Sequence, residues 1–300
     1  MMLPEEPVYL PFEAGPFRMA MGLVARSPDE LVAIDRHYPA EMAERRGLLD
    51  GRRDLVFGAE AGSEAARAEV LEVLGALLPR RFPHWFEREG SVLRNHLTGE
   101  VWDLAAPSGD PLEVAGRLVQ EDLCLLRLGA EGPVLTAAVL CFPSRWRLHE
   151  KLGRPLAEIH GPVPIYAERL AGPVDRLMGT LRAGKMVERV NWSLNDDPAL
   201  FQPGGLHFRR ERNVAVTPEN AGEALFLRVE RQTLSLLERS GAVLFGIHVH
   251  VYPIARIAAD PAVAARLASA VRGLPDSLRG YKSLAPFEHA LLAYLDSSSG

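Results

Sequence analysis

Hydrophobic positions along the chain change period twice: a helical spacing in the first third, a two-residue spacing in the middle, and a helical spacing again at the end. After Ser63, Ala66, Val70, Val73, Leu74, Leu77 and Leu78 follow the spacing of one buried helix face, and Pro79 is expected to end that helix. Ser27-Pro28-Asp29-Glu30 and Asp110-Pro111-Leu112-Glu113 each set a capping side chain before a proline and an acid. They predict helices from 27 to about 38 and from 110 to about 119, with a further helix near Pro39 and an aromatic loop at 82–86. Residues 123–128 and 134–142 are continuous apolar runs separated by Gly129, Gly132 and Pro133, which suits a hairpin with a buried second strand. Residues 187–194 read as another strand, and 225–236 with 242–252 as the clearest hairpin, turning near Ser240-Gly241. Between them Tyr166, Leu170, Val174, Leu177, Met178 and Leu181 recur at helical spacing, predicting a helix on the sheet that is divided at Gly172-Pro173. Helices opened by Asp260-Pro261 and near Ala285 close the chain. The pattern predicts an α+β fold in a single domain over residues 1–300: an antiparallel sheet of five to six strands with N- and C-terminal flanking helices.

Composition narrows the class. An apolar share of 47% with 24% charged residues argues against disorder. The 34 basic and 39 acidic side chains are spread along the chain without a basic block, which excludes nucleic acid and an anionic membrane as expected partners. The longest apolar run, 134–142, has about half the length a bilayer requires, and the N-terminus lacks a basic region followed by an apolar stretch; a cytoplasmic location is expected. Cys124 and Cys141 are too few to hold an iron–sulfur cluster, so any such electron carrier is expected on another chain. A phosphate-binding P-loop, a dinucleotide glycine fingerprint, H-E-x-x-H and G-x-S-x-G are all missing.

Three places carry candidate chemistry. His160 lies in Ile159-His160-Gly161-Pro162-Val163-Pro164, where the prolines limit its backbone and suit it to hold a ligand; a capping or core histidine is the alternative. His248 and His250 share one strand face and form a chelating pair for zinc or non-haem iron, with His207 or Glu230 as a third donor. The strand Arg228-Val229-Glu230-Arg231-Gln232 puts charge into an apolar hairpin, with Arg228, Glu230 and Gln232 on one face and Arg231, Val229 and Thr233 on the other. Buried charges need partners, so a structural ion pair is its simplest reading. Arg145 and Arg189 are further guanidinium groups able to grip carboxylates in a bidentate fashion.

The blocks IHGPVP, RVNWSL, LRVERQTL and SGAVLFGI, in this order and spacing, resemble the haem-dependent oxidative N-demethylase family, relatives of the dimethylamine monooxygenase catalytic subunit. Weaker likeness at Pro11-Phe12, Pro16-Phe17-Arg18 and Ile34-Asp35-Arg36 extends the resemblance over most of the chain. It implies a PAS-like haem domain with a core at about 99–254 and helical wrappings at 27–120 and 260–296. It further implies oxidation of a small secondary amine by dioxygen on haem b, the iron held by His160, with a thiolate at Cys141 as the competing ligand. Arg145, Arg189 and Arg231 then become candidates for the haem propionates. Glu230, Arg228 and Trp192, with Asn191, become candidates for the pocket where amine and dioxygen meet, while a core position is the alternative for Trp192. Electrons are expected from a flavin and iron–sulfur reductase on a separate chain. A haem protein that senses gas without turnover and a non-haem metal protein centred on His248 and His250 are the rival readings, and the face of the 225–236 strand that looks on the haem is open.

Overall fold

Ten strands are described in the computed structural model, which covers residues 2–18, 20–129, 132–164, 166–204, 215–282 and 284–299, apart from the side chain of Ala167. Strands β1 (Val24–Arg26) and β2 (Phe57–Ala59) come from the N-terminal region. Strands β3 (Phe86–Glu89), β4 (Val92–Asn95) and β5 (Val101–Asp103) form a small antiparallel sheet of their own. Strands β6 (Asp122–Gly129), β7 (Gly132–Val139), β8 (Met186–Asn195), β9 (Phe226–Leu236) and β10 (Val243–Pro253) follow. With β1 and β2 they make a seven-stranded antiparallel sheet of order β1-β8-β9-β10-β6-β7-β2.

The expected five to six strands become seven because both edge strands are three residues long, too short to leave an alternation in the sequence. The centre follows the period-two pattern closely. β9 and β10 pair from Phe226 opposite Pro253 to Leu236 opposite Val243. Gly241 takes a φ of 69° in the turn between them, a left-handed conformation that favours glycine.

Several helix boundaries differ from expectation, each for a local reason. Ser27 does cap, accepting from the Asp29 amide at 3.3 Å, but what it caps is a single 3-10 turn, Pro28–Glu30. The amides of Ala33, Asp35 and Arg36 donate to the side chains of Glu121 (2.9 Å) and Gln120 (3.1 Å) and to the Pro4 carbonyl (2.8 Å), so this backbone is bonded to distant partners and does not continue the helix; the helix proper is Tyr38–Gly51, with Pro39 in its first turn. Pro79 lies inside helix Glu64–Arg81 instead of ending it. The carbonyl that Pro79 cannot bond, that of Gly75, accepts from Arg88 at 3.1 Å. Helix Pro111–Gly116 is shorter than expected and lies against β7, where a Cβ on Gly116 would come within 2.6 Å of Val139. The loop expected at 82–86 ends as strand, since Phe86 opens β3. The connection between β7 and β8 carries helices Leu156–Ile159, Tyr166–Arg169 and Ala171–Thr180, so the division falls at Leu170, just before Gly172-Pro173. Helices Pro261–Arg272, capped by Asp260, and Glu288–Ser298 pack near the C-terminus as expected.

A large apolar cluster joins helices Tyr38–Gly51 and Glu64–Arg81 to β6, β7 and β10, and a second joins the far ends of β8, β9 and β10 to the C-terminal helices. Arg45 and Asp122 cross the first cluster as a fully buried ion pair at 2.8 Å. Asp122 also accepts the amides of Cys141 and Phe142, at 2.7 and 3.0 Å. No helix among the described residues is long and apolar enough to cross a membrane.

Candidate functional site

Strand register sorts the charged side chains onto two faces. Arg189 pairs with Gln232 and Asn191 with Glu230 across β8 and β9, while Ile247 and Val249 of β10 stand opposite Gln232 and Glu230. Arg189, Asn191, Arg228, Glu230 and Gln232 therefore share one face, as alternation predicted for the β9 members. Trp192, Arg231, His248 and His250 occupy the other. The expected candidates thus do not form one cluster. Asn191 and Trp192, adjacent on one strand, point to opposite sides.

On the first face Arg189, Asn191, Glu230 and Gln232 are only half-buried although they sit in the interior strands of a wide sheet. His160 follows helix Leu156–Ile159, and its Nδ1 lies 2.8 Å from the Leu156 carbonyl oxygen. A carbonyl only accepts, so in the neutral ring the proton sits on Nδ1 and the lone pair on Nε2. Burial lowers the pKa of His160; the Leu156 hydrogen bond opposes this, and the charges of Lys151 and Arg189 add to the lowering. The ring stacks on Tyr166 with 4.6 Å between centroids. This is the tautomer and protonation state that a metal-ligating imidazole needs, held in place by its second nitrogen.

Arg189 completes this face. Burial lowers its pKa against the pull of Glu230 and Tyr166, and its Nε is buried with no hydrogen-bond partner among the described residues. Glu230 is held on one side, its Oε2 accepting from Gln232 at 2.8 Å. A half-buried cation whose Nε has no hydrogen bond among the described residues, within electrostatic reach of a neutral imidazole, fits an anionic iron-bearing macrocycle.

The remaining arginines are already engaged. Arg228 is fully buried and donates to the carbonyls of Phe142 (2.7 Å), Ala199 (3.2 Å) and Leu200 (3.2 Å). Arg145 pairs with Asp196 at 3.1 Å. Both tie down the strand-to-loop connection around 196–202. Arg231, on the far face, donates to Glu188 at 2.6 Å and to the Glu30 carbonyl. Trp192 meets Phe12 edge-on with centroids 5.7 Å apart. Cys141 is not placed as a thiolate: burial pushes its thiol up to about 12, with Arg45 pulling the other way.

The far face holds a denser group. His248 and His250 stack with centroids 4.3 Å apart, and Asp35 meets them, with one donor atom from each of the three within 4.8 Å of the others. Of the expected third donors, Glu230 points to the opposite face, and His207 lies outside the described residues. Asp35 comes instead from the extended segment between the 3-10 turn and helix Tyr38–Gly51, a position no spacing rule links to β10. Glu121 Oε1 lies 3.2 Å from His248 Nδ1, and Glu6 Oε1 lies 3.5 Å from His250 Nδ1. Burial lowers the pKa of His248, but Glu121, Glu41 and Asp35 outweigh it and raise the result; His250 is pushed down to about 4 by burial and by His248. Glu6, Asp35 and Glu121 were missed from sequence. A charge-bearing residue in an apolar stretch, as at Ile34-Asp35, is the one signal that pointed to them.

A family model described as haem-dependent oxidative N-demethylase, alpha subunit-like, matches residues 22–292. The matched span takes in every strand of the main sheet, His160 and the paired histidines of β10. A neutral imidazole and a half-buried arginine whose Nε has no hydrogen bond among the described residues are in keeping with a haem-dependent family, and on this match the chain belongs to the haem-dependent oxidative N-demethylase, alpha subunit-like family.

Proposed function

We propose that this chain is the haem-binding catalytic subunit of an oxidative N-demethylase that acts on a small secondary amine, with electrons delivered by a flavin and iron–sulfur reductase on another chain. The observation that carries the reading is His160: Nδ1 tied to the Leu156 carbonyl, ring neutral, within electrostatic reach of Arg189, whose buried Nε has no hydrogen bond among the described residues. A helical connection, 148–180, between the second and third of the five central strands supports the PAS-like reading of the core. When bound, haem supplies the dioxygen chemistry: one N-methyl group is oxidised by one dioxygen with two electrons and two protons, releasing formaldehyde, water and the demethylated amine. His160 offers Nε2 to the iron, and Arg189 offers its guanidinium to a propionate. Glu230, whose Oε2 accepts from Gln232, accepts the N–H of the secondary ammonium on its other oxygen and holds the proton that the reaction consumes. Half-buried Asn191, paired with Glu230 across the strands, is placed to orient the same group.

Reconstitution of the purified protein with hemin tests the assignment. A Soret band is expected, lost in His160→Ala, together with amine-dependent oxygen uptake and formaldehyde release under a chemical reductant. No Soret shift, or an unchanged one in His160→Ala, overturns the ligand assignment. Haem binding without amine turnover would leave a gas-binding module instead of an enzyme.

A further inference from the structure

We propose that Asp35, His248 and His250 form a binding site for a divalent transition-metal ion, on the sheet face opposite His160. The site does not depend on the haem reading, since its residues come from β10 and from the segment before helix Tyr38–Gly51, and none of them touches His160.

The first argument is the donor set. Asp35, His248 and His250 are 2%, 1% and 2% exposed, and a candidate ligand atom from each lies within 4.8 Å of the other two. Two imidazoles and one carboxylate are borderline donors suited to zinc, ferrous iron and their neighbours. At metal–ligand distances of about 2.1 Å such donors stand roughly 3–3.5 Å apart, so small side-chain rotations close the cluster around an ion.

The second argument is what the cluster lacks. Asp35 Oδ2, His248 Nε2, His250 Nε2 and Glu121 Oε2 are buried and make no hydrogen bond among the described residues. Buried polar atoms are nearly always partnered, and four orphans in one cluster ask for a common partner. A shared proton can join only two of them. A cation satisfies all the lone pairs that converge on it.

The third argument is the outer layer. Asp35 Oδ1 is already occupied by the His37 amide at 2.8 Å and the Gln120 side chain at 3.1 Å, which leaves Oδ2 for the ion. Each histidine has its own carboxylate at Nδ1, Glu121 for His248 and Glu6 for His250. Glu121 is fixed by the Ala33 amide at 2.9 Å, and Glu6 by Arg256 at 2.6 Å. A carboxylate beside each imidazole is the arrangement that orients and polarises metal-bound histidine, and Asp35 Oδ2 itself lies 3.8 Å from His250 Nδ1. Asp35 also lines a cavity of about 650 Å3 that reaches Arg231 and Glu188 and gives an ion a path to its carboxylate.

The experiment uses the full chain, stripped with a chelator and then dialysed against Zn2+ or Co2+ alone, with metal per chain measured by mass spectrometry and the Co2+ visible absorption recorded. Expected are about one equivalent in the wild type and in His160→Ala, ligand-field bands for bound Co2+, and at least tenfold weaker binding in the near-isosteric Asp35→Asn and in His250→Gln. Asp35→Asn is further expected to retain the hemin Soret band, which separates this site from the haem assignment and shows that the variant is folded. Uptake below a tenth of an equivalent in the wild type overturns the proposal. So does full retention of metal in both variants.

Discussion

The two faces of the central sheet carry opposite surpluses of charge, and the contrast says what each can accommodate. Around His160 the uncompensated group is a cation, Arg189, left half-buried with one carboxylate, Glu230, acting on it through space. Around His248 the surplus is acidic: Glu6, Asp35, Glu121 and Glu188 face Arg26, Arg231 and Arg256. A cationic surplus suits the propionates of a haem, and an acidic surplus with two imidazoles suits a metal ion. The same β9–β10 hairpin builds both, because successive residues of a strand alternate between them.

The sharpest way to break this comparison sets two buried aspartates against each other. Asp122, on the His160 face, has both oxygens bonded and pairs with Arg45. Asp122→Ala would leave Arg45 buried and unpaired, a loss of about 3–5 kcal/mol in urea unfolding. Asp35, on the other face, has one bare oxygen among other acids, so in metal-stripped protein Asp35→Asn is expected within about 1 kcal/mol of the wild type. Equal losses in the two variants would mean that the acidic cluster is a structural ion network like the other. Next in size, Glu230→Gln keeps the shape of the side chain but removes its proton acceptor. Amine-dependent kcat should fall about 100-fold while the Soret band is unchanged; a normal kcat would remove Glu230 from the reaction. Arg189→Ala is expected to weaken hemin binding about tenfold, the effect of one charge-assisted contact worth about 1.4 kcal/mol, measured by hemin titration.

What could be read in the sequence follows from the range of the signals. Period-two alternation is local, so the separation of Arg228, Glu230 and Gln232 from Arg231 was legible, as was the pairing of His248 with His250. The same rule also forbids Asn191 and Trp192 from lining one pocket, a conclusion available from their adjacency alone. Asp35 as the third member of the histidine cluster was out of reach, because nothing in local pattern records which distant segment lies over a strand. The state of His160 was equally hidden: its position between Ile159 and the prolines was visible, but the proton on Nδ1 depends on where the Leu156 carbonyl points. The helix expected at 27–38 failed because a capping box reports only how a helix would start, and the amides of Ala33, Asp35 and Arg36 that follow are taken by Glu121, Gln120 and the Pro4 carbonyl.

The smallest expected effect tests how far the charges of the His160 face reach. Lys282 donates to the Trp192 carbonyl at 2.7 Å, on the edge of β8 beyond its pairing with β1, and lies 5.1 Å from the Trp192 ring centroid. Burial lowers its pKa; Glu230 pulls it back up and Arg189 adds to the lowering, for a value of about 8 against 10.5 for a free lysine. Between those two values the folded chain binds fewer protons than the unfolded one, so stability should rise with pH across the window, and the full penalty of the buried charge is present below about 8. Lys282→Met should abolish that rise, seen as a flat unfolding midpoint from pH 8 to 10 where the wild type climbs. Acylation of Lys282 followed by mass spectrometry should show a midpoint near 8. That midpoint should move down in Glu230→Gln, which loses an attractive charge, and up in Arg189→Ala, which loses a repulsive one. An unmoved midpoint in both would show that Glu230 and Arg189 neutralise each other locally, and the cationic surplus assigned to that face would have to be withdrawn.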